Sequence, residues 1–95
     1  MRDKEELQEL CVVLNKCEPK LLTGFLRGIL TPNEIRELCQ RWRIVKLLAA
    51  GKTQREIAKT LKTSLCKITR GSRELKKKNS SLSEIMDLYA ASRSQ

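Results

Sequence analysis

The sequence predicts an all-α protein with six helices per protomer, two of them forming a helix-turn-helix. Three observations predict it. Apolar residues recur at helical spacing along the chain and nowhere alternate as in a strand. Three Ser/Thr-x-x-Glu signals, together with Pro and Gly punctuation, mark where helices begin and end. Residues 54–77 read as two short amphipathic helices joined by a tight turn.

The first helix covers about residues 3–16, where Leu7, Leu10, Cys11, Leu14 and then Cys17 form one stripe. Glu18-Pro19 restarts the chain, because proline suits the first turn of a helix and not its interior. The second helix turns Leu21, Leu22, Phe25 and Leu26 inward and ends near Gly28. Thr31-Pro32-Asn33-Glu34 is a capping box with proline at the first helical position. It opens a third helix to about Ala50, along which lie Leu38, Arg41, Trp42, Val45, Leu48 and Ala49; Gly51 stops it. Thr53-Gln54-Arg55-Glu56 is a second capping box, and the fourth helix runs from Gln54 to about Leu61. Lys62-Thr63 is the turn, and Ser64 caps a fifth helix that continues to about Lys77. Ser81-Leu82-Ser83-Glu84 is a third capping box, opening a sixth helix through Tyr89, and Ala90 to Gln95 should fray.

Ninety-five residues make one domain, residues 1–95. With one Phe, one Trp and one Tyr, the chain builds its core from aliphatic residues and buries limited area per protomer. A homodimer is therefore expected to complete the core. No signal region follows Met1-Arg2-Asp3-Lys4-Glu5-Glu6, and no apolar run is long enough to cross a bilayer, so a soluble, cytoplasmic protein is expected. Cys11, Cys17, Cys39 and Cys66 stand far apart and there is no His, a pattern that argues against zinc and fits reduced thiols. The first three cysteines suit apolar helix faces as core filler. Lacking His, a Gly-rich phosphate loop, a nucleophile elbow and clustered carboxylates, the chain is not expected to be an enzyme.

Basic charge is segregated. Residues 1–40 carry six Lys and Arg against seven Asp and Glu, residues 41–78 carry thirteen against two, and residues 79–95 carry one against two. A uniform excess would describe a solvated lysine face, whereas confinement to a helix pair describes a surface that meets phosphate. Within the helix pair, Ile57 and Leu61 face Ile68, and Ala58 is the small residue where the backbones approach. Ser64 caps the helix whose N-terminal turn enters the major groove. The turn has no Gly, which leaves open a helical hairpin inside some other bundle. By subtraction, Leu65, Cys66, Thr69 and Arg73 face the DNA, together with Arg55. A guanidinium can grip guanine O6 and N7, and the Thr69 methyl can meet a thymine methyl. Gln54, Lys59 and Lys76 suit phosphate contacts. Cys66 is either a small apolar contact or a redox-sensitive one.

Residues 30–76 resemble the tryptophan repressor family. The resemblance rests on Leu-Thr-Pro-x-Glu at 30–34, Arg-x-Arg-Ile-Val at 41–45, and above all Ile-Thr-Arg-Gly-Ser at 68–72 followed by Leu75-Lys76. It implies a homodimer with interlocked N-terminal helices that binds a double-stranded DNA operator. It also implies an L-tryptophan co-repressor wedged between the core and the recognition helix, controlling tryptophan biosynthesis or transport genes. Arg41 and Arg70 would sandwich the indole, since guanidinium planes stack on aromatic rings. Arg70 would also pair with the ligand carboxylate and serve DNA. Backbone carbonyls at Gly28, Leu30 and Thr31 would receive the ammonium, and Gly71 would let the ligand approach the helix.

The chain departs from familiar members on the ligand side. Glu74 stands in place of a serine near the ammonium, where it could pair with that group or bind Arg70 and close the site. Lys67 replaces a small threonine beside the indole, and Gly28 replaces a leucine. The alternatives are a relative with another ligand or none, in which Arg41 and Arg70 simply hold phosphates, and a small helical interaction module or DNA-binding piece of a recombination enzyme.

Overall fold

A computed structural model of the chain describes residues 2–93. The described residues form six helices and no strand: α1 (Arg2–Leu14), α2 (Pro19–Ile29), α3 (Pro32–Ala49), α4 (Gln54–Leu61), α5 (Leu65–Lys76) and α6 (Ser81–Arg93). They gather into two compact units, one up to Arg36 and one from Glu37 onward.

In the N-terminal unit, proline opens both α2 and α3. Pro19 follows Glu18, whose backbone is extended and whose side chain makes no capping bond. Ahead of α3 the capping box forms as expected. The Thr31 N–H donates to Glu34 Oε1 at 2.8 Å, and the Glu34 N–H donates to Thr31 Oγ1 at 3.2 Å. The apolar stripes of α1 and α2, however, bury nothing completely. Leu22, Phe25 and Leu26 are half-buried, but Leu21 is exposed, and so are Leu7, Val12, Val13 and Ile29. Cys11 and Cys39 are exposed and Cys17 is only half-buried, so none of the three fills a core within the chain. An amphipathic stripe gives a helix an apolar face; it does not supply the surface that covers it.

The C-terminal unit has a core of its own. Ile44 of α3, Ile57 of α4 and Ile68 of α5 are 2%, 1% and 0% exposed, with Leu47, Leu48, Ala58 and Leu61 packed around them. Gly71 sets the spacing of α5 against α3, because a Cβ there would stand 3.3 Å from Leu48 Cδ1 and 3.5 Å from Ile44 Cγ2. Met86 of α6 is also buried.

Three ends within this unit carry the local chemistry. Thr53 and Glu56 form a reciprocal capping box with two bonds of 3.1 Å, and the backbone N–H of Thr53 holds the Glu56 carboxyl below its ordinary range. Lys62 makes the turn after α4 by taking the left-handed conformation itself, φ 53°, ψ 48°. Such a conformation costs a residue with a Cβ about 1–2 kcal/mol, and it supplies the bend that a glycine would otherwise provide. Ser64 occupies the N-cap position of α5 but makes no side-chain capping bond.

The start and end of α6 differ from the sequence expectation. Ser80, not Ser81, is the cap: its buried Oγ accepts from the Ser83 N–H at 3.1 Å. The box expected between Ser81 and Glu84 does not form. Two consecutive serines offer the same chemistry, and the left-handed Asn79, φ 57°, turns the chain so that the first of them meets the helix. At the other end α6 continues through Ala90 to Arg93 instead of fraying, with Arg93 Nη1 donating to the Tyr89 hydroxyl at 2.9 Å. Ser94 and Gln95, the rest of the stretch expected to fray, lie outside the described residues.

Candidate nucleic-acid interface

The helix-turn-helix is held together on its inner side and left open on its outer side. Ile57 and Ile68 seal the inner side. A polar clamp joins the two helices at their margin: the Thr69 hydroxyl lies 2.9 Å from Gln54 Oε1 and 2.8 Å from the Leu65 carbonyl oxygen. Gln54 and Thr69 are thereby half-buried. The Thr69 hydroxyl is occupied inside the protein, and its methyl group is the part left to meet an outside surface.

The outer face of α5 carries an open groove of about 720 Å³ lined by Leu65, Cys66, Thr69, Arg70, Arg73, Glu74 and Lys77. Leu65, Cys66, Arg70 and Arg73 are exposed there, as the helical periodicity requires. Lys77, which the sequence analysis does not name as a contact, also lines this groove. Counting from Cys66, the steps of three, four, seven and eleven residues reach Thr69, Arg70, Arg73 and Lys77, so the stripe itself could have found it. Lys76 is exposed on a different side of α5. It shares a depression with Lys52, Thr53, Gln54 and Asp87. Arg55 and Lys59 are exposed on α4.

A second, smaller cavity of about 310 Å³ lies on the other side of Arg70, between α3, α5 and α6. Arg41, Lys67, Arg70, Gly71 and Glu74 line it over a floor of Ile44, Val45 and Leu82. Four of the seven residues expected at a ligand are thus brought together: Arg41, Arg70, Gly71 and Glu74. The other three, Gly28, Leu30 and Thr31, belong to the N-terminal unit, at the end of α2 and the start of α3. Arg70 and Glu74 line both the cavity and the groove. Glu74 does not bind Arg70. Its Oε1 pairs with Lys77 Nζ at 2.9 Å, and this bond holds the carboxyl below its ordinary range, with the Arg70 charge adding a smaller effect.

A family model of the Trp repressor protein matches residues 5–89. The chain belongs to the Trp repressor family. The match extends the resemblance at 30–76 to α1, α2 and most of α6. No curated protein and no solved structure matches the chain. Membership in the Trp repressor family makes this a DNA-binding transcriptional regulator, in a family that is regulatory and not enzymatic and whose members typically respond to a small ligand. No helix among the described residues is long and apolar enough to cross a membrane.

The structure also contains an aromatic contact that the sequence reading did not anticipate. Trp42 and Tyr89 meet edge to face, 5.7 Å apart at 85°, with Lys46 Nζ 6.0 Å and 5.8 Å from the two rings. It ties α6 to α3 on a side distinct from the cavity. The spacing of 47 residues between the rings gave no local signal for it.

Proposed function

We propose that the protein is a homodimeric transcriptional repressor that reads its operator with α5, and whose DNA affinity is set by a small molecule held between Arg41 and Arg70. The observation that carries the DNA reading is the open groove along α5, with Arg70, Arg73 and Lys77 on one stripe. Leu65, Cys66, Thr69 and Arg73 face bases, with Arg55 from α4; Gln54, Arg70 and Lys76 hold the backbone. Gln54 does this with its amide NH₂, since its carbonyl oxygen is committed to Thr69.

The family resemblance names L-tryptophan as the co-repressor and tryptophan biosynthesis or transport genes as the targets. Selection from a random duplex library, with and without L-tryptophan, tests both parts. A two-fold symmetric site enriched mainly with L-tryptophan is expected. Enrichment that ignores L-tryptophan would remove it as the co-repressor, and no common sequence in either arm would sink the operator reading. One observation favours a different ligand in the same place: Lys67 brings a third cation to the cavity, and Glu74 is turned to Lys77.

Arg55 and Lys76 separate base reading from phosphate holding. Arg55→Ala is expected to cost about 1–3 kcal/mol on the operator and much less on random DNA, as for a bidentate guanine contact. Lys76→Ala should weaken both alike and flatten the salt slope by about one unit. Equal losses on both DNAs for Arg55→Ala would remove it from the base-reading set.

The exposed apolar faces of α1 and α2 support the dimer. Leu7 is 62% exposed and Ile29 60%, in a unit with no fully buried residue on either helix. Large aliphatic side chains left uncovered on two neighbouring helices suit an interface. The unfolding midpoint should therefore rise with protein concentration. A concentration-independent midpoint, with a monomer in sedimentation at micromolar concentration, would exclude an obligate dimer.

A further inference from the structure

The cavity between α3, α5 and α6 also constrains the charge of what enters it. Three cations line it, Arg41, Lys67 and Arg70. None of their side chains forms a hydrogen bond or a close ion pair with another described residue; the close ion pair among the described residues is that between Glu74 and Lys77. Glu74 is the one carboxylate in the lining, and Lys77, which is not part of that lining, already matches its charge at 2.9 Å. The rest of the wall is apolar: Ile44, Val45, Gly71 and Leu82.

Electrostatics then ranks the possible occupants. Like charges gathered at one small site repel, and an anion placed among them relieves the repulsion while forming charge-assisted hydrogen bonds. A zwitterion brings a positive charge along with its carboxylate, and the only acid able to receive that charge is already engaged. A flat apolar body is still wanted, both for the Ile44, Val45 and Leu82 floor and for stacking against a guanidinium. At about 310 Å³ the cavity is at the small end of ligand sites, which excludes large conjugates.

We propose that this cavity selects a compact aromatic carboxylic acid of net negative charge over the neutral zwitterionic amino acid of the same shape, and that Lys67 confers the preference. The inference rests on the reading above that the cavity holds an effector. Lys67 acts from α5, three residues before Arg70, so that its ammonium and the Arg70 guanidinium can share one anionic ligand.

Calorimetric titration of the full chain at fixed ionic strength tests it with two matched series. One is L-tryptophan against indole-3-propionate. The other is L-phenylalanine against 3-phenylpropionate and the dianion phenylsuccinate. Affinity is expected to rise by at least about threefold with each unit of negative charge, the upper part of what a partly exposed ion pair supplies. Lys67→Gln, which keeps the stem and removes the charge, should flatten this step, and Lys67→Thr should do the same. Lys67 is exposed, so neither change touches the core, and an unchanged helical circular dichroism spectrum checks the fold. Tighter binding of the amino acids than of the acids would overturn the charge preference while leaving the effector site standing. A preference for acids that survives both Lys67 variants would overturn the role of Lys67. If none of the five compounds binds, the effector reading of the cavity falls and this inference falls with it.

Discussion

Ile68→Ala is expected to destabilise the protein by about 2–5 kcal/mol, a large share of the 5–15 kcal/mol that holds a typical domain folded. Ile68 is the most deeply buried side chain of the core and the point where α5 meets both α3 and α4. Removing three carbons there loses their transfer out of water and leaves a hole between Ile44 and Ile57. These neighbours are branched and stiff, and they collapse into it poorly. Urea unfolding reads the effect. Leu65→Ala on the same helix is the control, because Leu65 is 48% exposed and its loss should cost within about 0.5 kcal/mol. Equal midpoint shifts for the two variants would show that the core is not where Ile68 sits.

The second large effect is on DNA affinity. Residues 41–78 hold thirteen Lys and Arg against two Asp and Glu, and one of those two carboxylates is spent on the Thr53 cap and the other on Lys77. Apart from Lys77, the positive block is thus left without a close carboxylate partner among the described residues and can meet phosphates. For about six to ten phosphate contacts, raising salt from about 50 mM to about 200 mM should weaken operator binding by about 10³–10⁵. Each contact releases condensed counterions, and the free energy of that release falls as the bulk salt rises. Filter binding across the range gives the slope. A fall of less than tenfold would mean that the block does not face the duplex backbone.

The legible and illegible parts of the molecule divide along a physical line. Helix starts at Thr31 and Thr53 could be read because a capping box is local: four consecutive residues contain both bonds. The inner faces of α4 and α5 could be read because Ile57 and Ile68 stand almost alone among polar neighbours. On α3 the stripe ran through Leu38, Arg41, Trp42, Val45, Leu48 and Ala49; Val45 is buried and Leu48 packs against the core, yet Leu38 is 45% exposed and Ile44, outside that stripe, is buried. Periodicity finds an apolar face, but where the next helix lands decides which part of it is covered. Glu74 met the same limit. Arg70 at four residues before it and Lys77 at three residues after it are both within helical reach, and only the built side chains choose between them. The cavity could not be read from spacing at all. It joins Arg41, Lys67 and Leu82, which only the packing of three helices brings to one wall.

The uncovered aliphatic faces of α1 and α2 have a cost during the life of the cell. If the chain pairs as proposed, a newly released copy carries Leu7, Val12, Val13, Leu21 and Ile29 in water until a second copy arrives. A regulator is needed in few copies, and at roughly 1 nM an association rate of about 10⁶ M⁻¹ s⁻¹ leaves a chain waiting on the order of a thousand seconds. Through that time it is a substrate for chaperones and proteases that survey greasy surface. Chains emerging from neighbouring ribosomes on one message meet at far higher local concentration and escape the wait. For a regulator that is finished only by pairing, the yield would then depend on how its message is translated as well as on how much of it is made.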